Sequence, residues 1–406
     1  MRAPRDFAPR GRPKARNAAP QGAAQRRSSK HGGPSFASRV VAWQRVHGRH
    51  DLPWQTFAPQ GRPKARTAPP QGAAQRRSRK RGGPASTRDP YRIWLSEIML
   101  QQTQVATVIP YFERFVAQFP DVRALASAPL DDVLASWSGL GYYRRAHHLH
   151  AAAQRVVADH GGEFPRDAAT LATLPGIGRT TAAAIAAFSR DERAAILDGN
   201  VKRVLARHRA IDGFPGSPIV AAKLWALADA LLPARSDIAV YTQGLMDLGA
   251  TVCTRANPRC AVCPVQRDCL ARRDDRIDEL PSSRPRKPLP RRTVRVLLFE
   301  RGGEILLEKR PPIGIWGGLW SLPEIALDDD ARTFARAHFD VQATVGADLT
   351  PIEHGFTHFA LTLYPQRVSV ARWPLRAETP QYVWLSRDDA LQAALPAPIR
   401  KLLRTL

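Results

Sequence analysis

Cys253, Cys260, Cys263 and Cys269 are the only thiols in a chain of 406 residues, and they stand together as C-x6-C-x2-C-x5-C. Such crowding describes a metal site and not a disulfide framework. Four thiolates without a histidine suit either a structural tetrahedral zinc or an iron-sulfur cubane, and ligand type alone does not separate the two. The wide first gap favours a 4Fe-4S cluster, because zinc ribbons and fingers usually present two short C-x-x-C knuckles and only Cys260 and Cys263 form one here. The loop between the first two ligands carries Arg255 and Arg259, which would project from a metal-clamped turn toward a phosphate backbone.

Two carboxylates have surroundings that could do acid-base work. Glu97 lies in Trp94-Leu95-Ser96-Glu97-Ile98-Met99-Leu100-Gln101-Gln102-Thr103. A lone carboxylate amid such apolar neighbours sits either on the polar side of a helix or in a partly desolvated pocket, and only the pocket makes it an acid at neutral pH. Asp198, in Leu197-Asp198-Gly199-Asn200-Val201, is open to two roles, a helix N-cap or a functional carboxylate. Between them runs Leu174-Pro175-Gly176-Ile177-Gly178-Arg179-Thr180. Gly176 and Gly178 allow a close backbone approach, and the helix opening at Thr180 offers free N–H groups to a phosphate. An ordinary helix-helix turn uses the same residues.

These groups need a helical scaffold. Phe36 to Trp54 reads as a helix, with Val40, Val41, Trp43 and Val46 on one side, ending in Leu52-Pro53-Trp54. Asp89 and Pro90 form the N-cap and first position of the next helix. From Asp89 to about Ala250 the text stays helical, punctuated by prolines and glycines, with a helix from Asp167 and another from Thr180 to Phe188. His147, His148 and His150 follow Arg144 and Arg145 on one helix and read as a solvated cationic face. After the basic run Arg284 to Arg292, the strands Val294 to Phe299 and Glu304 to Lys309 form a hairpin around Gly302-Gly303. Further strands near Thr357 to Tyr364 and Tyr382 to Leu385, with helices from Asp328 and Asp388, complete an α+β domain.

Of the formal charge of +25, residues 1–90 carry +18, with 21 Lys and Arg against Asp6, Asp51 and Asp89. The excess comes from a duplication, since Ala8 to Pro34 recurs as Ala58 to Pro84. Both copies are too poor in large apolar residues to offset their ordering entropy and read as disordered basic arms, the second looped out of the fold. No stretch approaches a membrane span. Clustered reduced thiols and the lack of a helical leader favour a cytoplasmic protein.

Taken together, WLSEIMLQQTQV, GLGYY, LPGIGRT, LDGNVKRVLAR, MDLGA and the cysteine spacing resemble the MutY family of adenine DNA glycosylases in the helix-hairpin-helix superfamily, over residues 36–56 and 88 to about 400. That resemblance implies a multidomain fold: a disordered arm at 1–35, an all-α helix-hairpin-helix domain at 36–280 with its iron-sulfur loop at 253–269 and an insertion at 58–87, a linker at 281–292, and a Nudix-like α+β domain at 293–406. It implies that Glu97 protonates adenine at N7, Asp198 stabilises the oxocarbenium-like sugar, Asn200 supports the aspartate and Gln243 contacts the flipped base. Gln101, Gln102, Thr103 and Tyr142 match residues that probe the duplex around the lesion, Gly176 and Gly178 the phosphate hairpin, and the four cysteines the ligands of the 4Fe-4S cluster. Thr180 stands where endonuclease III enzymes carry the lysine that forms a Schiff base, so a monofunctional glycosylase is expected.

In the C-terminal domain the family's Phe-Ser-His recognition loop corresponds to Phe356-Thr357-His358, whose threonine keeps a hydroxyl for 8-oxoguanine. The magnesium-binding REx2EE box of working Nudix hydrolases is replaced by Asp328-Asp329-Asp330-Ala331-Arg332-Thr333-Phe334-Ala335-Arg336, so this domain is expected to bind and not hydrolyse. The implied partner is double-stranded DNA with an A:8-oxoguanine or A:G mispair, met by a monomer on a bacterial nucleoid. Two other readings compete. An endonuclease III-like pyrimidine-lesion glycosylase shares the helices and cluster but not Thr180 or the second domain. A non-catalytic iron-sulfur DNA-binding protein leaves the pairing of Glu97 with Asp198 unused.

Overall fold

Asp89 accepts the Tyr91 N–H and Pro90 takes the first helical position in the computed structural model, so the helix that carries Glu97 starts where its sequence predicts. The structure describes residues 34–55, 88–284, 288–373 and 380–406. Apart from Pro34 and Ser35, the two basic arms lie outside the described residues. The chain divides into residues 1–35 and a unit from Phe36 to Leu406, and the described helices and strands all belong to the second.

The helices of its first part are α1 (Phe36–His47), α2 (Pro90–Met99), α3 (Val105–Gln118), α4 (Val122–Ser127), α5 (Leu130–Trp137), α6 (Arg144–His160), α7 (Ala168–Leu171), α8 (Arg179–Arg190), α9 (Gly199–His208), α10 (Pro218–Ala230), α11 (Ile238–Thr251) and α12 (Leu270–Arg273). Trp94, Ile98 and Met99 of α2 pack with Phe112, Phe115 and Trp137 in one core. A second core joins α1, α8, α9, α10 and α11 and reaches Cys253 and Cys263. Each such side chain contributes about 1.5–3 kcal/mol when fully buried. Helix α1 is shorter than expected, and Val46 is 72% exposed while Val40 is fully buried, because the helix ends one turn beyond its seam with α11.

The second part holds β1 (Arg291–Arg301), β2 (Glu304–Lys309), β3 (Trp320–Ser321), β4 (Glu324–Ile325), α13 (Ala331–Phe339), β5 (Ala343–Asp348), β6 (Ile352–Gly355), β7 (Ala360–Val370), β8 (Tyr382–Ser386), α14 (Arg387–Gln392) and α15 (Ala397–Thr405). The sheet runs β3-β2-β1-β7-β5, with β8 on β2, β4 on β1 and β6 on β7. The β1–β7 pair is parallel and the others antiparallel. Side chains alternate along β1: Val296 and Leu298 join the core of the helical part, while Leu297 and Phe299 pack beneath α13. The strand opens at Arg291, inside the run read as linker. Helix α13 is capped by Asp330 and not Asp328, because only Asp330 reaches the Thr333 N–H.

Ser138 donates its hydroxyl to the Leu395 carbonyl at 3.0 Å and accepts from Arg400 Nη2 at 2.8 Å, joining α5 to the C-terminal helices. Lys309 pairs with Asp131 across the same boundary. Among the described residues no helix is long and apolar enough to cross a membrane.

Candidate active site and cluster loop

Helix α2 buries Trp94, Leu95, Ile98 and Met99 and leaves Glu97 partly buried. Among the described residues nothing donates a hydrogen bond to its carboxyl group. Burial, and secondly the charge of Asp198, push its pKa up to about 8. Asp198 is placed differently. It caps α9, accepts the Val201 N–H at 2.8 Å and the Asn200 side-chain amide at 3.4 Å, and lies near the Arg203 cation. Burial raises its pKa, but these donors and the positive end of α9 oppose the rise. The surroundings therefore differ for the pair: Glu97 keeps its proton at neutral pH, its pKa raised in part by the charge of Asp198, whose own rise is opposed by the donors around it. Glu97 is thus partly desolvated, and not on a freely solvated helix face. Of the two roles open to Asp198, the helix N-cap is the one that its hydrogen bonds display.

Asn200 is held by Arg203, whose Nη2 donates to its Oδ1 at 2.8 Å and to the Gly249 carbonyl at 2.7 Å. A methyl group on Gly249 would stand 2.5 Å from Asn200 Cβ, so the absence of a side chain there is what lets α11 approach α9. Arg203 Nε also donates to the Cys253 carbonyl at 2.7 Å, which ties the aspartate's neighbour to the cysteine loop. Nothing in the run of charges on α9 singles out Arg203 from the sequence. Thr180 accepts the Leu197 N–H at 3.3 Å and so braces the irregular segment between α8 and α9 that delivers Asp198. Gln243 is 8% exposed and already bonded, donating to Asp247 at 2.8 Å and accepting from Gln55 at 3.1 Å.

The hairpin and the two turns meet. Gly176 has φ +75° and no room for a Cβ, which would lie 2.7 Å from that of His148. Gly178 caps α8 with no side-chain acceptor, and the space before it is open. Gln101 Nε2 reaches the Gly176 carbonyl at 3.3 Å. Gln102 is exposed with φ 60°, Thr103 is partly buried beside it, and Tyr142 is 48% exposed with φ 51°.

The solvated cationic face expected on α6 is corrected. Arg145 and His150 are buried, and His150 bonds the Ala128 carbonyl at 3.0 Å while His147 bonds that of Gly317 at 3.0 Å. Core packing of α6 against α4 and α5 turns those positions inward.

All four cysteines carry free, partly buried thiols that line one cavity with Arg207, His208 and Arg272. Among the described residues no three His, Cys, Asp or Glu groups converge as ligands of one ion. Buried Arg207 wraps the loop, donating to the carbonyls of Thr254 at 2.7 Å, Arg255 at 3.1 Å and Leu280 at 2.8 Å and reaching Cys253 Sγ at 3.5 Å. Arg255 and Arg259 are exposed on the loop as expected, and the Arg259 guanidinium also donates to the Thr251 carbonyl at 2.7 Å, satisfying the end of α11.

In the second part Phe356, Thr357 and His358 occupy the turn between β6 and β7, and not a strand, because Phe356 N–H closes it on the Phe359 carbonyl at 2.9 Å. Phe356 stacks on Phe359 at 4.4 Å and lies 5.8 Å from the Trp316 ring. Thr357 and His358 are exposed. Helix α13 presents no carboxylate within its span.

Residues 95–229 match the HhH-GPD superfamily base excision DNA repair protein family, and residues 294–405 match the NUDIX domain family. The helical fold and that match define a DNA N-glycosylase of base excision repair with an appended Nudix-like domain. An adenine DNA glycosylase of Buchnera aphidicola subsp. Acyrthosiphon pisum is 31% identical over 91% of this chain and 96% of its own. The adenine DNA glycosylase of Mus musculus is 34% identical over 91% of this chain and 77% of its own. The chain belongs to the adenine DNA glycosylase family. Among solved structures, one of a thermostable thymine-DNA glycosylase overlays on 59% of this chain at 25% identity and TM-score 0.47.

Proposed function

We propose that this protein removes adenine paired with 8-oxoguanine or guanine by hydrolysis, leaving an abasic site. The observation that carries the reading is the unequal pair of carboxylates. An N-glycosidic bond breaks when the purine leaves as a neutral base and positive charge gathers at C1′. Glu97, protonated at neutral pH because burial pushes its pKa up to about 8, supplies the proton to adenine N7. Asp198, capping α9 and braced by Asn200 and Arg203, faces the charge that develops on the sugar.

Reaching the base requires extruding it from the duplex, at a cost of a few kcal/mol. Tyr142, Gln101, Gln102 and Thr103 hold the opened stack, Gly176 and Gly178 bring the helix α8 N-terminus against a phosphate, and Gln243 turns to the extruded adenine. Thr180 has no amine for a Schiff base and its hydroxyl is engaged with Leu197, which supports hydrolysis without strand cleavage. The exposed Thr357 hydroxyl and His358 read 8-oxoguanine opposite, and α13 without carboxylates supports a domain that binds and does not hydrolyse nucleotides.

Cys253, Cys260, Cys263 and Cys269 fit a 4Fe-4S cluster. Four thiols that line one cavity, with no histidine among them, are the donor set that such a cluster takes. Bound there, the cluster would clamp the loop that Arg203 and Arg207 attach to α9. The protein acts as a monomer on chromosomal DNA in the cytoplasm.

The deciding experiment is single-turnover incubation with duplexes holding A:8-oxoguanine, A:G, thymine glycol or no lesion, followed by alkali to reveal abasic sites, with a parallel borohydride trap. Adenine loss from the first two without a trapped adduct is expected. Thymine glycol excision with trapping would establish the endonuclease III-like reading, and binding without any excision the non-catalytic one.

A further inference from the structure

Arg145 takes no part in the proposed reaction, yet its surroundings are unusual for an arginine. It is 7% exposed, and among the described residues no carboxylate pairs with it. Its partners are six oxygens. Nη1 lies 3.1 Å from the Ile98 carbonyl, 2.6 Å from that of Met99 and 2.8 Å from that of Gln101. Nη2 lies 3.1 Å from the Thr103 hydroxyl, 3.4 Å from the Leu140 carbonyl and 3.0 Å from that of Gly141. A buried cation without a counter-ion persists only where oxygens meet most of its donors; here they meet Nη1 and Nη2 while Nε has no partner, and the fork of a guanidinium, unlike a single ammonium, reaches two groups of acceptors at once.

The two groups differ in kind. Ile98, Met99 and Gln101 supply carbonyls at and just beyond the end of α2, the helix that holds Glu97, where a cation also complements the helix dipole. Leu140 and Gly141 belong to the turn that presents Tyr142. Each turn contains a non-glycine residue in the left-handed region, Gln102 at φ 60° and Tyr142 at φ 51°. Such conformations last only where neighbours over-determine them. Arg145 meets that need from both sides, with its guanidinium 5.4 Å from the Tyr142 ring and 5.3 Å from the Trp137 ring, while Trp137 Nε1 donates to the same Gly141 carbonyl at 3.1 Å.

We propose that Arg145 is a positioning residue that locks the Gln101–Thr103 turn and the Leu140–Tyr142 turn into one rigid surface at the end of α2, so that both enter the duplex together and the target base is extruded in register with Glu97. The proposal rests on the reading that these turns probe DNA. It assigns to Arg145 an effect on base extrusion, and none on proton transfer or on general affinity for DNA.

The test uses the full chain with its cluster and a duplex carrying 2-aminopurine, whose emission rises on unstacking, in place of the target adenine opposite 8-oxoguanine. With Arg145→Lys, loss of the charge-assisted bonds to one turn should lower the emission rise and single-turnover adenine excision roughly 10- to 100-fold together. Affinity for an undamaged duplex and the midpoint of the pH profile should stay at wild-type values, which a merely structural lesion would not spare. Emission and excision near wild type would overturn the proposal, as would an equal fall in undamaged-duplex affinity or a shifted pH midpoint. Hydrogen exchange on the unsubstituted protein guards against a variant that does not fold: the amides of Thr103, Gly141 and Tyr142 should open as one unit, and independent opening of the two turns sinks the idea. If the unsubstituted protein itself leaves adenine in place opposite 8-oxoguanine, the functional reading fails first; if it excises and Arg145→Lys behaves alike, only the role of Arg145 fails.

Discussion

Glu97 and Asp198 sit at helix positions whose neighbours are buried, each held by a core that reaches Trp94 on one side and Leu248 on the other. Thr357 and His358, in the sheet domain, stand exposed on a turn anchored by Phe356 and its ring contacts. The difference is one of dielectric. Inside the helical part, desolvation changes the protonation of a carboxyl group, which on the proposed reading decides whether chemistry occurs. On the turn, water competes for every hydrogen bond, and the same kinds of group can contribute only the modest net energies of recognition. The helical part should accordingly respond to substitution as a switch and the sheet domain as a dial.

The sharpest way to break that comparison is Glu97→Gln. It keeps size and leaves the fold in place but removes the transferable proton, so single-turnover excision should fall by about 10²- to 10⁴-fold while duplex binding persists. Near-normal excision would mean that another group is the acid. Asp198→Asn sharpens the same point, because asparagine is as good an N-cap as aspartate. Melting temperature should hardly move while excision falls by about 10²- to 10³-fold, the usual cost of losing one preorganised electrostatic partner. A large loss of stability instead would make capping its main task.

The pH profile is next in size. Because the folded-state pKa of Glu97 lies above its ordinary value, the active acid form is complete at low and neutral pH and is lost as pH rises through about 8. Excision should be level around neutrality and fall about tenfold per unit above that midpoint. A rate that rises across the same window would exclude Glu97 as the proton donor. On the dial side, His358→Ala should weaken the preference for 8-oxoguanine over guanine by about tenfold, near the value of one or two hydrogen bonds, with the rate at saturating enzyme unchanged. A collapse in that rate would show that the turn takes part in forming the catalytic site.

Much of this was legible in the chain itself. Capping and helix initiation at Asp89-Pro90 and Asp198-Gly199, the hairpin at Gly302-Gly303 and the crowded cysteines are local events, set by backbone geometry and ligand chemistry within a few residues. The membership of Glu97, Asp198 and Thr180 in one pattern was readable for the same reason, since each sits inside a short motif. What only tertiary structure decided is which charged groups lose water. Arg145, Arg203 and Arg207 look alike in the text as cations on helices, yet each is turned inward to carbonyls contributed by segments some 40 or more residues away. Val46 errs in the opposite sense, an apolar side chain left exposed. The acidity of Glu97 belongs with these. Its motif placed a carboxyl group on α2, but the desolvation that makes it an acid comes from α2 packing into its core and from Asp198 arriving on α9 a hundred residues later, a long-range arrangement that no local propensity encodes.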